Sequence, residues 1–190
     1  IPTLCYLEGI SDIGACRLCV VEVEGKNELA TACNTKVKEG MVVQTASRKV
    51  IDARKTVLKL LLSNHNIDCF NCEKNGDCQL QKYCNEYDID TTPYIGSRSL
   101  LECDVPKKDA HPFLSKCIYC QRCVQTCRVA TGRRAIKLRR TGKYTIIDAP
   151  FGEDWEETRC ESCGNCAQAC PTGALTIKRR KNYRAWEVKR

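Results

Sequence analysis

CIYCQRCVQTC at residues 117–127 and CESCGNCAQACP at residues 160–171 are the stretches that decide the fold. Each spaces four cysteines as C-x2-C-x2-C-x3-C, and the run occurs twice. Structural zinc sites use pairs of C-x2-4-C, or His with Cys, around a single ion, so three crowded cysteines in each run exceed what one zinc needs. Disulfide frameworks suit short secreted chains, and the total of 17 cysteines is odd. The doubled run therefore predicts two polynuclear metal sites.

This spacing is that of [4Fe-4S] ligands in bacterial two-cluster ferredoxins, where the fourth cysteine of each run binds the other cluster. Three thiolates of one short loop reach three irons, and the fourth iron takes a ligand from elsewhere. One predicted ligand set is Cys117, Cys120, Cys123 and Cys170, and the other is Cys160, Cys163, Cys166 and Cys127. Residues 135–138 and 144–147 predict a hairpin between the runs, turning through residues 139–143, and residues 174–177 predict a closing strand.

A further group of cysteines opens the chain, with spacing C-x10-C-x2-C-x13-C. Its members are Cys5, Cys16, Cys19 and Cys33. Plant-type [2Fe-2S] domains bind their cluster with one cysteine-rich loop and one distant cysteine, although their first gap is usually shorter. Strands are predicted at residues 20–24, 28–33 and 37–45, the last broken at Gly40. The simpler alternative is a β-rich domain with incidental cysteines. We expect a [2Fe-2S] domain that lacks its initial hairpin, which is either absent from this stretch or supplied by other protein.

Residues 48–63 give the clearest helical pattern. Apolar side chains recur at helical spacing, and Asp52, Arg54, Lys55 and Lys59 fill the opposite face. Asn64 is a plausible end of the helix. The pattern predicts a helix that packs on neighbouring domains.

The spacing H-x3-C-x2-C-x5-C follows this helix, in His65, Cys69, Cys72 and Cys78. Three cysteines lack a fourth ligand here, and a neutral imidazole can complete a [4Fe-4S] cluster, with a higher potential expected because His carries no negative charge. Spacing alone leaves Cys84 open as the alternative fourth ligand. Residues 77–86 predict a short helix. With His65 as the ligand, Cys84 and Cys103 are surplus and are expected to be buried free thiols.

The formal charge of +8 invites a nucleic-acid interpretation. Oxidised clusters bound by thiolates are anionic, roughly −2 for four thiolates and −1 for three thiolates and a His. Four such clusters bring the protein to about +1, which removes the main support for nucleic-acid binding. No run of 18 apolar residues predicts a membrane span. Reduced thiols and oxygen-sensitive clusters predict the cytoplasm.

The predicted fold class is α+β, in five successive regions. The first is a truncated [2Fe-2S] β-grasp ferredoxin domain at residues 1–47, and the second is a helical domain at residues 48–90 whose [4Fe-4S] site has one His and three Cys ligands. A linker at residues 91–112 leads to a two-cluster bacterial-type ferredoxin domain with an inserted hairpin at residues 113–180. Residues 181–190 are the start of a linker to a further domain. The chain offers no nucleotide loop, nucleophile or general base. His111 precedes Pro112 and is expected to be structural, so we predict a chain that is not catalytic alone.

This order of sites resembles the N-terminal iron–sulfur module shared by four families of redox proteins. They are the large iron–sulfur subunit of complex I, the diaphorase subunit of NAD-reducing hydrogenases, the large subunit of [FeFe]-hydrogenases and the catalytic subunit of NAD-dependent formate dehydrogenases. Residues 1–5, 14–17 and 62–65 carry the likeness along with the ligands. The resemblance implies that His65 is the fourth ligand of the middle cluster and that Cys84 is not a ligand.

The resemblance also implies partners. Electrons would pass between a flavin (FMN) subunit that oxidises NAD(P)H, with its small [2Fe-2S] subunit, and a catalytic metal domain, within a hetero-oligomer. The basic, aromatic stretch at residues 178–190 most resembles the linker of formate dehydrogenases. A hydrogenase or complex I-like subunit is the alternative, and an iron–sulfur sensor or nucleic-acid-binding protein is a remote one.

Overall fold

The computed structural model describes residues 1–96, 115–141, 144–148, 160 and 163–176, and the structural statements below concern these residues. The helices are α1 (Arg48–Ser63), α2 (Gln79–Glu86), α3 (Arg122–Thr131) and α4 (Asn165–Ala169). The strands are β1 (Val20–Val23), β2 (Ala30–Thr31), β3 (Val43–Gln44), β4 (Lys137–Thr141) and β5 (Tyr144–Asp148). This mixture of helices and short strands agrees with the predicted α+β class.

A small antiparallel sheet follows the first cysteines, with β1 between β2 and β3. Val20 pairs with Thr31, and Val23 pairs with Val43. The strand predicted at residues 20–24 and its hairpin partner are confirmed in outline, though β2 is only two residues long. The first half of the strand signal at residues 37–45 is wrong, because the Met41 amide donates to the Lys38 carbonyl at 3.1 Å and turns the chain there.

Helix α1 spans the predicted residues. The Ser47 hydroxyl accepts a hydrogen bond from the Val50 amide at 3.3 Å, which caps the first turn, and the helix ends at Asn64. The buried face contains Val50, Leu58 and Leu62, as the periodicity predicts. Arg54 is the exception, since the pattern places it on the polar face and it is only 4% exposed. Its guanidinium donates to the Val20 carbonyl at 2.8 Å and the Tyr87 hydroxyl at 3.1 Å, and these contacts hold it inside.

The main core joins regions that the sequence pattern separates into three domains. Leu4 and Leu18 come from the first region, Leu58 and Leu80 from the helical region, and Ile118 from the second half of the chain. All five are buried. Each buried leucine or isoleucine removes enough apolar surface from water to contribute about 1.5–3 kcal/mol, so these regions stabilise one another.

A second core lies beneath the β4–β5 hairpin. It contains Ile136 and Ile147, packed with Cys123 of α3 and Cys166 of α4. The predicted hairpin is confirmed, but its strands are longer than expected, because residues 139–141 pair in β4 instead of forming the turn. Helix α3 ends at Gly132, whose positive φ of 67° closes the last turn.

Three other predictions have a mixed outcome. The closing strand expected at residues 174–177 is wrong for residues 174 and 175, which lie in a turn and a bend. The helix expected at residues 77–86 begins two residues later, at Gln79. Cys103, His111, most of the linker at 91–112 and residues 177–190 lie outside the described part of the chain. No helix within that part is both long and apolar enough to cross a membrane.

Candidate metal centres

The four cysteines of the first group meet beside β1. Cys5, Cys16 and Cys19 are buried, and Cys33 is half-buried. A hydrogen bond from the Cys5 thiol lowers the pKa of Cys16 to about 5 and raises that of Cys5. Burial, followed by a hydrogen bond with Cys19, raises the pKa of Cys33 to about 11. The thiols therefore contact one another in two pairs, and the sequence-predicted [2Fe-2S] residues lie together.

The loop of this first site is closed tightly at Gly14. Its φ is +65°, a conformation that favours glycine. A Cβ at this position would lie 2.8 Å from the Asn34 amide nitrogen, next to Cys33. Leu4 adds a backbone hydrogen bond to the Cys16 sulfur at 3.4 Å. Amide donors of this kind favour the thiolate form, which is the form that binds metal.

The middle group of predicted ligands lines a cavity formed largely by the loop that joins α1 to α2. The predicted ligands that line it are His65, Cys69, Cys72 and Cys78, together with Gln81 and Gly173. His65 is buried at 7% exposure, in the turn that follows α1. The backbone amide of His65 donates to the Leu62 carbonyl at 3.1 Å, which fixes this turn against the helix end.

Cys84 lies within α2, three residues after Gln81. It is buried in the main core among leucines and is absent from the residues that line this cavity. Burial raises its pKa to about 11, with smaller contributions from Cys78 and Cys69. A thiol with these surroundings behaves as a small apolar side chain. The geometry therefore favours His65 over Cys84 as the fourth member of this group.

Another cavity, here called the third cavity because it contains the third group of predicted ligands, lies beneath the β4–β5 hairpin. Cys117, Cys120 and Cys123 line it together with Cys170, which belongs to the other cysteine run. Apolar side chains complete the wall, namely Ile118, Ile147, Ala174 and Leu175. Burial raises the pKa of Cys117 and of Cys120 to about 12. This crossed grouping is the one that the doubled run predicts.

The reciprocal group forms around α4. Burial raises the pKa of Cys166 to about 12, and the nearby thiols of Cys160, Cys163 and Cys127 act in the same direction. Cys127 comes from the first run and lies within α3. Cys166 is buried, whereas Cys163 is exposed. Both cysteine runs therefore contribute a residue to the neighbourhood of the other.

The donor set fits iron–sulfur clusters better than isolated ions. Within the described ranges, no three His, Cys, Asp or Glu side chains are arranged to hold one metal ion. Four cysteines line one shared space beneath the β4–β5 hairpin, and three others line a second shared space with His65. Thiolates are soft ligands, and in a cluster each binds its own iron, so the sulfurs stand around a larger object than a single ion.

Sequence reasoning missed two residues near these sites, Gly173 and Arg122. Gly173 packs so closely on Cys72 that a Cβ would lie 2.4 Å from its sulfur. Arg122 is buried at 4% exposure beside Cys120 and Cys123. The position of Arg122 between two cysteines of one run is the only local hint, and its depth depends on residues far away in the sequence.

Three family models match the chain in the order of these sites. The model described as "2Fe-2S iron-sulfur cluster binding domain" matches residues 1–48. The model "NADH-ubiquinone oxidoreductase-G iron-sulfur binding region" matches residues 54–93. The model "4Fe-4S binding domain" matches residues 153–176. The chain thus contains a 2Fe-2S binding domain and 4Fe-4S binding regions.

Curated relatives align over nearly the whole chain. The NADPH-Fe(3+) oxidoreductase subunit alpha of Geobacter sulfurreducens is 41% identical over 94% of this chain and 21% of its own length. The NADP-reducing hydrogenase subunit HndD of Solidesulfovibrio fructosivorans is 41% identical over 99% of this chain and 32% of its own length. The mitochondrial NADH-ubiquinone oxidoreductase 78 kDa subunit of Candida albicans is 34% identical over 100% of this chain and 26% of its own length.

The chain spans about a fifth to a third of the length of these relatives. Among solved structures, an NAD+-reducing [NiFe]-hydrogenase in the H2-reduced state matches with a TM-score of 0.75 and 28% identity, over 93% of this chain and 74% of that chain. The resemblance inferred from the sequence is therefore confirmed: the chain is similar over nearly its whole length to part of these hydrogenase and complex I subunits, and it contains iron–sulfur binding regions.

Proposed function

We propose that this chain is a multi-cluster electron relay of an NAD(P)-linked oxidoreductase complex. In the proposal it holds one [2Fe-2S] and three [4Fe-4S] clusters, with the ligand sets described above and His65 as the fourth ligand of the middle [4Fe-4S] cluster. Bound clusters supply one-electron redox chemistry. The names of the relatives support a partner that exchanges electrons with NAD(P)H. The proposal adds that this exchange passes through flavin and that a catalytic metal centre lies elsewhere in the complex.

The observation that carries the proposal is the proximity of the groups of ligands to one another. The Cys16 thiol of the first group acts electrostatically on Cys120 of the third. Cys166 of the fourth group acts on Cys123 in the same way. Gly173, three residues after Cys170, packs on Cys72 of the middle group. The chain therefore holds all four groups next to one another, as transfer of electrons between them requires.

Apolar residues surround part of this path. The third cavity is lined by apolar side chains and cysteines together with Gln121 and Thr172, and the main core includes cysteines of both the first and the third groups. A dry, low-dielectric surrounding also limits how much solvent must reorganise when charge moves. The exposed Cys163 marks the described thiol that is nearest to solvent.

The sequence and the named relatives favour different terminal reactions for the complex. The stretch at residues 178–190 favours a formate dehydrogenase, with a hydrogenase or complex I-like subunit as the alternative. The relatives named above are a hydrogenase subunit, a complex I subunit and an NADPH-linked oxidoreductase subunit, so they favour the alternative. We therefore propose service in a hydrogenase or complex I-like assembly.

Metal analysis of the anaerobically purified protein tests the proposal. About 14 irons per chain, with matching acid-labile sulfide, are expected from one [2Fe-2S] and three [4Fe-4S] clusters. Their visible absorbance should bleach when NADH or NADPH is added together with the flavoprotein partner. Zinc in place of iron, or clusters that dithionite reduces but the partner never does, would refute the relay.

A further inference from the structure

A buried arginine lies at the junction of the predicted cluster sites. Arg122 is the first residue of α3 and is 4% exposed. Its Nη1 donates to the Gln79 side-chain carbonyl oxygen at 3.0 Å, and its Nη2 donates to the Tyr6 backbone carbonyl at 2.9 Å. These two contacts cross 43 and 116 residues of sequence.

The contacts of Arg122 reach each of three ligand groups. Tyr6 follows Cys5 of the first group, Gln79 follows Cys78 of the middle group, and Arg122 itself precedes Cys123 of the third. The guanidinium also acts on the Cys120 thiol in the direction expected of a nearby positive charge, favouring the thiolate. One side chain is thus placed where it touches segments of three sites.

The charge of Arg122 has no carboxylate to balance it among the described residues. Both of its hydrogen-bond acceptors are neutral oxygens, and its Nε is buried without a hydrogen-bond partner. The ion pairs found in the described ranges join other residues, on helix α1 and in the loop before α2. A buried guanidinium keeps its proton and is costly to hold without an anion. The proposed clusters, bound by thiolates, are the anions that this part of the fold offers.

We propose that Arg122 raises the reduction potential of the [4Fe-4S] cluster held by Cys117, Cys120, Cys123 and Cys170. This inference rests on the proposed function. A one-electron reduction, by dithionite in the test or by the flavoprotein partner in the complex, makes the site more negative by one charge. Arg122 stays protonated, so no proton moves, and its attraction for the site increases with the added electron. The permanent charge therefore favours the reduced form.

The test is an EPR-monitored redox titration of the full chain with its clusters, using two kinds of variant. Arg122→Gln removes the charge, whereas Arg122→Lys retains it. Gln79→Glu leaves the guanidinium in place and sets a carboxylate beside it, which neutralises its field. The component that belongs to this cluster is identified as the one lost in Cys120→Ser.

Arg54→Gln is the matched control. Arg54 is also 4% exposed and also donates to a backbone carbonyl and one neutral side chain, at Val20 and Tyr87. Arg54→Gln therefore removes one positive charge and the same kinds of hydrogen bond as Arg122→Gln does. It differs in that Arg54 does not lie beside the third cavity. A loosened fold alone would therefore affect both arginine variants alike.

We expect Arg122→Gln to reduce the ratio of reduced to oxidised cluster roughly tenfold at a fixed potential, a shift of about 59 mV for a one-electron couple. Gln79→Glu should also lower the reduction potential of this cluster, while Arg122→Lys and Arg54→Gln should change that potential much less. An unchanged potential in Arg122→Gln, or the same shift in Arg54→Gln, overturns the inference. If the Arg122→Gln protein fails to hold the cluster, the test rests on Gln79→Glu. An unchanged reduction potential in the Gln79→Glu protein would then overturn the inference. Absence of [4Fe-4S] signals from the unsubstituted chain would instead refute the proposed function.

Discussion

Gly173 and Cys72 lie in van der Waals contact across a separation of about a hundred residues, and a Cβ on Gly173 would stand 2.4 Å from the Cys72 sulfur. Gly173 follows the second cysteine run, whereas Cys72 belongs to the middle group. The backbone amide of Gln79, next to Cys78, donates to the Pro171 carbonyl at 2.9 Å in the same place. The loop after the second run is therefore one wall of the middle site.

Gly173→Ala should damage the middle site from a distance in sequence. The added methyl group meets the Cys72 sulfur, and Gly173 has no positive φ, so the effect is steric. We expect loss or conversion of the middle cluster's EPR signal with the other [4Fe-4S] signals retained. Gln168→Ala, at an exposed position of α4, is the control and should leave every signal intact. A normal spectrum for Gly173→Ala would contradict the contact.

His65 and Cys84 can be separated by three substitutions. His65→Ala should damage only the middle cluster, because it removes the side chain that lines the cavity. His65→Cys should retain the cluster at a lower potential, since a thiolate adds negative charge to the site. Cys84→Ser should leave all clusters in place. EPR of the reduced protein measures each case, and loss of a [4Fe-4S] signal in Cys84→Ser but not in His65→Ala would reverse the assignment.

The crossed ligand sets make a prediction about pairs of variants. Cys170 lies with Cys117, Cys120 and Cys123, so Cys170→Ser should give the same spectral defect as Cys120→Ser. Cys127→Ser should match Cys163→Ser, because Cys127 acts on Cys166 together with Cys163. Difference spectra of the four variants make the comparison. If Cys170→Ser instead matched Cys163→Ser, each run would bind its own cluster and the crossing would be wrong.

The main core predicts a large loss of stability for one leucine of α1. Leu58 is 0% exposed and packs in the core shared by the first three ligand groups, so Leu58→Ala should lower the free energy of unfolding by about 2–5 kcal/mol. Leu60→Ala is the matched control, because Leu60 is 49% exposed on the same helix. Anaerobic denaturant titrations followed by helical ellipticity compare them. Equal midpoints would show that this core contributes little.

Much of the site could be predicted because a cluster constrains its ligands locally. Three irons reached from one loop require cysteines at short, regular intervals, and the structure brings together the cysteines that this spacing groups. Ligation itself stays a prediction. Helix α1 was predictable for a similar reason, since apolar side chains recur at helical spacing between the cap at Ser47 and Asn64, with Arg54 as the exception on the buried face.

Two of the errors arise from partners that are distant in sequence, and a third arises from pairing with the next strand. A local pattern assigns Arg54 to solvent, because nothing nearby shows that the Val20 carbonyl, 34 residues away, accepts from it. The burial of Arg122 could not be predicted for the same reason, because its acceptor, the Tyr6 carbonyl, lies 116 residues away. In β4, residues 139–141 look like a turn by composition, yet pairing with β5 continues through them. In each case, hydrogen bonds made in the folded protein override the local preference of the residues for solvent or for a turn.

The core that contains Leu18, Leu58, Leu80 and Ile118 has a consequence for evolution. Small cluster-binding domains are usually regarded as units that genomes shuffle singly between enzymes. Here each region covers apolar surface of the others, so exchanging one region alone for a foreign homologue would leave mismatched side chains facing one another. Recombination that preserves a working protein must carry this stretch as a single heritable block. Different enzymes would then differ in the domains joined to this stretch and would keep its core residues together.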